Sequence, residues 1–219
     1  MGHLGIPTIP DNKNSMYKNR NYTNPDAVER LIRYITRTRA NENRAGDLVC
    51  YGAWGAGYYN TPEDIIRQFL YVQIANKIAS RQGRRMYHEV LNLYDCEAEM
   101  FHGDWEQLWY AGMECCQIYC DMGFQSVFAV HWEPDKHLHY HFAVNSVSYI
   151  DGRKWHTSLA EIQNREIIFN QILEKHQRMI NDRISPIIIF NGNEKAAGME
   201  SRSPLVRFYG SPLELAASN

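Results

Sequence analysis

Histidines are concentrated in one short segment of the chain. His137, His139 and His141 occupy alternate positions, and His131 ends the apolar run that precedes them. Alternate side chains of a β-strand share one face, so a strand here would place its three imidazoles side by side. Neutral imidazoles can converge on one cation, and three protein ligands leave coordination positions open for substrate oxygens. We therefore predict a catalytic metal site in this segment.

The donor types narrow the choice of cation. Three imidazoles suit zinc, iron, nickel or manganese better than magnesium, because magnesium prefers oxygen ligands. The opposite face of the same strand would be apolar and face a core, with Leu138, Tyr140, Phe142 and Val144. The alternative without a metal is an exposed strand edge or a polar patch that responds to pH.

Helices and strands that could position this segment are visible along the chain. Caps, prolines and glycines frame four predicted helices. They run over roughly residues 25 to 37 after an Asn24 cap and Pro25, from Thr61 and Pro62 to Gly83, from the Asp104 cap to Met122, and from the Ser158–Glu161 capping box to about Asp182. The strand-like runs are Asp47 to Trp54, Arg85 to Tyr94, Gln125 to His131 and Leu138 to Ile150. Asp151-Gly152 and then Arg153 to His156 follow, which is typical of a hairpin with a type I′ turn.

This pattern predicts an α+β fold, a single domain with a central, mainly antiparallel sheet flanked by helices. We assign residues 1–190 to that domain. Residues 191–219 contain scattered Gly, Asn, Ser and Pro, and we expect them to form a loose C-terminal tail.

Charge is distributed unevenly along the chain. The formal net charge is -2, yet residues 17–47 contain seven basic and four acidic residues, while residues 93–135 contain nine acidic residues and no Lys or Arg. One face of the protein could thus be basic and bind nucleic acid, although solvated faces would give the same pattern.

Five cysteines without CxxC spacing predict reduced core thiols. Reduced thiols indicate a cytoplasmic protein. We expect neither a membrane span nor a secretory signal.

The histidine segment resembles a motif of a known enzyme family. Residues 131–156, HWEPDKHLHYHFAVNSVSYIDGRKWH, resemble the three-histidine motif of conjugative relaxases, the mobilisation nucleases of the HUH endonuclease superfamily, in particular the MobP class. Residues 27–49, AVERLIRYITRTRANENRAGDLV, resemble the first motif of that class, a helix that carries the nucleophilic tyrosine and is followed by a basic loop. Tyr87 to Asn92 is similar to the second motif, a strand that contacts DNA. The resemblance spans roughly residues 27 to 156.

The resemblance implies a bacterial, DNA-nicking enzyme. A metal ion on His131, His139 and His141 would bind oxygens of one DNA phosphate, and Tyr34 would attack, leaving a 5′-phosphotyrosine link and a free 3′-hydroxyl. Manganese or magnesium would be the ion in the cell, with zinc, nickel or iron also compatible. The substrate would be single-stranded or hairpin-bearing transfer-origin DNA, and accessory DNA-binding and coupling proteins would be partners.

Supporting roles follow from the same resemblance. Glu133 or Asp135 would orient a ligand imidazole, with His137 nearby or replacing one ligand. Asn92 would contact DNA, and Arg33, Arg37 and Arg39 would contact phosphates.

Each of these roles has a structural alternative. Composition alone predicts that Tyr34 is a core aromatic residue. It also predicts that Arg33, Arg37 and Arg39 lie at a solvated helix C-terminus, where basic residues complement the helix dipole. The other tyrosines that could act as nucleophile are Tyr17, Tyr22, Tyr58 and Tyr59.

Two features depart from the family pattern. His139 follows His131 by eight positions, where the class usually has seven, so a bulge or a longer loop must accommodate one residue. Asn92 stands where a serine is common, which keeps a hydrogen-bonding side chain at that position.

Other classes of protein remain open from the sequence. A rolling-circle replication initiator or transposase of the same superfamily often carries its tyrosine after the histidines, where this chain has Tyr149 and Tyr209 outside any predicted helix. A cupin-like metal enzyme would need a glutamate beyond His141, and Asn145 stands there. A DNA-binding module with inactive histidines would be expected to lack a ligand.

Overall fold

A five-stranded antiparallel sheet forms the centre of the protein, in the strand order β1-β3-β5-β4-β2. The computed structural model describes residues 3–5, 22–39, 45–55, 61–78, 83–93, 98–132 and 138–190. The strands are β1 (His3–Gly5), β2 (Leu48–Trp54), β3 (Met86–Asn92), β4 (Ser126–His131) and β5 (His139–Asn145). The predicted α+β fold with an antiparallel sheet is confirmed.

Helices cover both faces of this sheet. They are α1 (Ala27–Ile35), α2 (Pro62–Ala75), α3 (Trp105–Asp121) and α4 (Leu159–Phe190). The first two pack on one face, where Ile32 and Phe69 join Val127 in one buried cluster. The other two pack on the opposite face, where Tyr119 and Phe169 lie against Phe142. Strand β5 is buried along its whole length between these two layers.

Alternation along β5 sorts its side chains as the sequence predicts. Tyr140, Phe142 and Val144 belong to the core under α3 and α4, whereas Ala143 belongs to the core under α1 and α2. His139 and His141 therefore point to the layer that contains α1. This layer is where the candidate site is found.

Polar caps set the beginnings of three helices. Asp64 donates its backbone N–H to the Thr61 hydroxyl at 3.2 Å, and Gln107 donates to the Asp104 carboxylate at 3.0 Å. Ser158 and Glu161 form the predicted reciprocal capping box. These three predicted starts are confirmed.

Other predicted boundaries are wrong. The first helix begins after Asp26, because the chain first makes a turn in which Ala27 donates to the Asn24 carbonyl. The second ends at Ala75 rather than near Gly83, because Lys77 turns into the left-handed region (φ 53°). The fourth continues past Asp182 to Phe190.

The hairpin after β5 also differs from its prediction. The strand ends at Asn145, not Ile150, and a single bridge joins Val147 to Lys154 beyond it. Of the Asp151-Gly152 pair only Gly152 has a positive φ (70°), so the turn is not type I′, which needs positive φ at both central residues. The Asp151 carboxylate instead accepts a hydrogen bond from the backbone of Arg153.

The expectations about cysteines and membrane helices can be compared with the described residues. Cys50, Cys115, Cys116 and Cys120 are free thiols, and Cys96 lies outside the part of the chain that the structure describes. No helix in that part is long and apolar enough to cross a membrane. The predicted tail, residues 191–219, also lies outside it.

A buried ion pair fixes α4 to the sheet, and we expect its loss to destabilise the fold. The Arg165 and Glu89 side chains are 6% and 2% exposed, and Nη2 lies 2.5 Å from Oε1. Tyr119 also donates to Glu89, at 2.9 Å. Glu89→Ala leaves a buried guanidinium unpaired, so urea denaturation should give a free energy of unfolding lower by about 3–5 kcal/mol. The double variant Glu89→Ala/Arg165→Met should recover part of this loss, and a Glu89→Ala cost below about 1 kcal/mol would contradict the expectation.

Candidate metal centre

Three histidines from β4 and β5 form one buried cluster. His131, His139 and His141 each offer a ring nitrogen, and these nitrogens lie within 4.8 Å of one another. The three residues are 0%, 9% and 5% exposed, respectively. Their ring centroids are 4.5 to 5.4 Å apart. The geometry brings together the three residues that the sequence predicts as ligands.

Strand register explains why these side chains meet. His131 pairs directly with His139, and Ala129 pairs with His141. Paired residues of antiparallel strands share a face, so the three imidazoles occupy one side of the sheet. The β4–β5 ladder has no register shift, so the extra residue between His131 and His139 lies in the connection, residues 132–138, and not in either strand.

His131 is held by two hydrogen bonds that define its protonation. Its Nε2 lies 2.6 Å from the carbonyl oxygen of Ile35, the last residue of α1, and Arg37 Nη2 lies 3.1 Å from its Nδ1. A carbonyl only accepts and a guanidinium only donates, so Nε2 carries the hydrogen and Nδ1 carries the lone pair. The same contact satisfies a carbonyl at the helix end, which docks the C-terminus of α1 against the histidines.

His141 is the second anchor of the cluster and is linked to a fourth histidine. Its Nδ1 lies 2.9 Å from Nε2 of His88 on β3, and Nδ1 of His88 lies 3.0 Å from the Tyr22 hydroxyl. The pKa of His141 is lowered well below 6.5, first by burial and then by the neighbouring His88, His131, His139 and Arg37. The ring is thus neutral at physiological pH and can donate a lone pair to a metal ion.

The donor set fits a divalent cation. Nε2 of His141 is buried and has no hydrogen-bond partner among the described residues, which is expected of a nitrogen directed at a ligand. A hydrogen on Nε2 would be a buried donor without an acceptor, so the hydrogen of the neutral ring is assigned to Nδ1, which donates to Nε2 of His88. Nε2 is then the nitrogen left with a lone pair. Nitrogen ligands lie about 2.1 Å from such an ion and hence within about 4 Å of each other, which is close to the observed spacing of up to 4.8 Å.

Tyr34 of α1 lies beside this cluster. Its ring is edge-on to His141 and His88, with centroid distances of 5.6 and 6.2 Å. Two guanidinium carbons face the ring, Arg37 Cζ at 5.4 Å and Arg39 Cζ at 4.9 Å from its centroid. Tyr34 is partly buried against the core rather than inside it. The structure thus places the predicted nucleophile next to the predicted ligands.

A small cleft opens next to Tyr34. It encloses about 70 Å³ and is lined by two tyrosines, two arginines and residues of α1 and the preceding turn: Tyr22, Asn24, Asp26, Ala27, Arg30, Leu31, Tyr34 and Arg39. Aromatic and cationic side chains together are suited to nucleic acid, because bases stack on rings and phosphates pair with guanidinium groups.

The residues predicted to contact DNA occupy different environments. Arg33 pairs with Glu29 at 2.9 Å and with Glu63 of α2 at 2.8 Å, and these carboxylates raise its pKa. Asn92 is exposed and pairs in register with His139, which places it at the edge of the cluster.

The arginines after α1 also differ from each other. Arg39 is exposed beside Tyr34 and donates to the carbonyl of Arg30 at 3.0 Å. Arg37 is only 5% exposed and contacts His131, so the expected solvated position is not observed. Contact of any of these residues with DNA stays a prediction.

Several predicted residues lie outside the described part of the chain. They are Glu133, Asp135 and His137, predicted to support the ligands, and the alternative nucleophiles Tyr17, Tyr58 and Tyr59. Two further residues lie at the site, one to which the sequence assigned no role there and one that it gave only as an alternative nucleophile. These are His88, within the second motif, and Tyr22, the alternative nucleophile that the structure does place at the site.

His88 orients His141, and we expect its loss to weaken metal binding. His88→Leu removes the group that accepts from Nδ1–H of His141, and such partners are worth roughly 10- to 100-fold in metal affinity. Titration calorimetry with Mn²⁺ measures this. His88→Gln, whose side-chain oxygen can still accept, should lose less. Equal Mn²⁺ affinity in wild type and His88→Leu would show that His88 does not position the ligand.

Comparison with known proteins matches most of the chain, including the histidine cluster, to a family model. A family model described as "Relaxase: MobA/VirD2-like, nuclease domain" matches residues 34–178, about two thirds of the chain. The match begins at Tyr34 and contains all three clustered histidines. No curated protein and no solved structure matches the chain.

Proposed function

The chain belongs to the relaxase family with a MobA/VirD2-like nuclease domain, and on that premise we propose that it nicks one strand of a transfer origin at a specific site. Cleavage proceeds by tyrosine transesterification and depends on a divalent metal ion. The strand is later rejoined by the reverse reaction.

One observation carries this proposal: the Tyr34 ring lies 5.6 Å from the ring of His141, within a buried three-histidine cluster. A tyrosine in this position can reach a phosphate that is bound to the same centre. Proximity of this kind supplies much of the rate of a displacement reaction. The sequence order, with Tyr34 before the histidines, supports a relaxase over a rolling-circle initiator or a transposase.

The residues act in named roles. A divalent ion held by His131, His139 and His141 would polarise the scissile phosphate and offset the charge on its non-bridging oxygens. Tyr34 Oη attacks phosphorus, the bond from phosphorus to the 3′-oxygen breaks, and that oxygen gains a proton while the tyrosine hydroxyl loses one. The products are a 5′-phosphotyrosine and a free 3′-hydroxyl. Attack by a 3′-hydroxyl on the phosphotyrosine rejoins the strand without an external energy source, because the bond energy is conserved.

The surroundings of Tyr34 supply the DNA contacts in this proposal. Arg39 binds a phosphate near the scissile one, Asn92 contacts the strand at the edge of the histidine cluster, and the aromatic cleft takes up single-stranded DNA. Accessory DNA-binding and coupling proteins complete the system in a bacterial cytoplasm. Manganese or magnesium is the ion that we propose for the cell.

The experiment must find the nick site as well as detect cleavage. A single-stranded oligonucleotide library, tiled across the candidate transfer origin, is incubated with the protein and Mn²⁺, Mg²⁺ or EDTA. Fragments labelled at the 3′ end should stay with the protein after denaturation, whereas fragments labelled at the 5′ end should be released with a free 3′-hydroxyl. Sequencing of the captured fragments gives the nick site. Release of both labels, or capture of the 5′-labelled fragment, would contradict the proposed chemistry.

A further inference from the structure

Two groups require the same lone pair of His131. Arg37 donates a hydrogen bond to Nδ1 at 3.1 Å, while Nε2 donates to the Ile35 carbonyl at 2.6 Å. A metal ion on Nδ1 would replace Arg37 directly. A metal ion on Nε2 would move the hydrogen of the neutral ring to Nδ1, which could then no longer accept from Arg37. Metal binding through either nitrogen therefore excludes the hydrogen bond from Arg37 to His131.

Charge acts in the same direction. Arg37 is 5% exposed, and its guanidinium lies against a cluster that would hold a doubly charged cation. Like charges repel strongly where solvent screening is weak. The guanidinium and the ion thus compete for the same lone pair of His131. Their positive charges also disfavour the presence of both at this site.

The backbone of Arg37 is held in a strained conformation. Its φ of 54° lies in the left-handed region, at the position after the C-cap Thr36 of α1. Thr38 donates its N–H to the carbonyl of Arg33 at 3.0 Å, which closes a Schellman-type helix end where glycine is the favoured residue. Strain of this kind at a site is a reason to look for a function of the side chain.

We propose that Arg37 couples metal binding to DNA binding: the cation displaces its guanidinium from His131, and the released guanidinium binds a phosphate next to the scissile one. The inference rests on the proposed metal role of His131. Arg37 Cζ lies 5.4 Å from the centre of the Tyr34 ring, so the released group starts beside the proposed nucleophile. The planar fork of arginine matches phosphate oxygens. Arg37 is then a positioning residue whose contact with phosphate depends on the loaded metal centre.

The first test is metal affinity, measured by titration calorimetry with Mn²⁺ in the absence of DNA. Arg37→Met and Arg37→Gly should both bind Mn²⁺ at least about tenfold more tightly than wild type, because a hydrogen bond from a charged donor no longer opposes the ion. Arg37→Met keeps the strained backbone and Arg37→Gly relieves it, so a gain in both cannot come from backbone relaxation. Arg178→Met on the exposed side of α4 is the matched control and should bind as wild type.

The second test is the salt dependence of binding to single-stranded DNA, in a Tyr34→Phe background that forms no covalent adduct. Each phosphate contact contributes about 0.7 to the slope of log affinity against log salt concentration. With EDTA the proteins with Arg37 and with Met at position 37 should have equal slopes. With saturating Mn²⁺ the slope of the protein with Arg37 should be steeper by about 0.7.

The outcomes separate this inference from the proposed function. Wild-type protein that binds Mn²⁺, with no gain in affinity in either Arg37 variant, would overturn the inference and leave the metal centre standing. A difference in slope that is the same with EDTA and with Mn²⁺ would also overturn it, because Arg37 would then contact DNA without the ion. Wild-type protein that binds no Mn²⁺ would overturn the metal role of the histidines and this inference together.

Discussion

Tyr34→Phe should abolish the covalent adduct between the protein and DNA. The substitution removes one oxygen atom, the one that we propose attacks phosphorus, and leaves the ring that contacts His141, His88 and Arg39. Loss of a nucleophile for which water is no substitute lowers the rate by at least about 10³-fold. The measurement is the yield of denaturant-resistant adduct from a labelled single-stranded oligonucleotide that carries the nick site. Affinity for the same oligonucleotide should change little.

Tyr22→Phe is the matched control for this prediction. Tyr22 shares the cleft with Tyr34 and contacts His88 rather than His141. We expect Tyr22→Phe to form the adduct, with a moderate loss of rate from the altered contact to His88. An adduct that persists in Tyr34→Phe but disappears in Tyr22→Phe would reassign the nucleophile to Tyr22. Mass spectrometry of the adduct peptide would detect any other tyrosine, including those outside the described residues.

The histidine cluster could be predicted from sequence because it depends on short-range regularities. The two-residue period of a strand puts His139 and His141 on one face, and a sequential antiparallel neighbour brings His131 opposite His139. Neither step requires knowledge of distant contacts. The sequence does not show that the β4–β5 ladder is regular, because the extra residue could equally have formed a bulge in a strand.

The surroundings of the cluster depend on long-range packing and were harder to predict from the sequence. His88 is 53 positions from His141 in the chain, and they meet only because β3 pairs with β5 rather than with its sequence neighbours. Arg37 follows a helix, where the sequence alone predicts a solvated basic side chain that complements the helix dipole. It is buried because the end of α1 docks on His131, a contact that no local pattern encodes.

Helix starts depend on local signals and helix ends on wider packing, which accounts for the errors in helix length. Capping residues such as Thr61 and Asp104 act through local hydrogen bonds, so helix starts are visible in the sequence. The C-terminal end of α2 is set by the left-handed Lys77, a residue type with no special preference for that conformation. Glycine at position 83 was the stronger sequence signal, but the helix had already ended.

If the three histidines hold one ion, as we propose, they act together, so removal of one member should affect metal binding by the others. His141 has the largest share of contacts within it, since its ring lies 4.5 Å from that of His131 and 4.8 Å from that of His139. It is also the ring that contacts both His88 and Tyr34. Among the three proposed ligands it therefore links the candidate metal centre to the proposed nucleophile, and its substitution is the most informative.

His141→Ala should remove both metal binding and cleavage. Two imidazoles remain, and the buried Nε2 that we propose as a ligand atom is lost, so Mn²⁺ affinity should fall at least about 100-fold. Without the ion, the charge that develops on the phosphate is no longer offset, and adduct formation should fall below detection.

His156→Ala is the control for this variant, because His156 is an exposed histidine away from the cluster. It should bind Mn²⁺ and form the adduct as wild type does. Circular dichroism and urea denaturation of His141→Ala establish that the fold persists, since loss of a buried imidazole alone is expected to cost only about 1–3 kcal/mol. A folded His141→Ala protein that still cleaves DNA, or wild-type cleavage that continues in excess EDTA, would remove the metal ion from the mechanism and leave Tyr34 to act with the surrounding arginines alone.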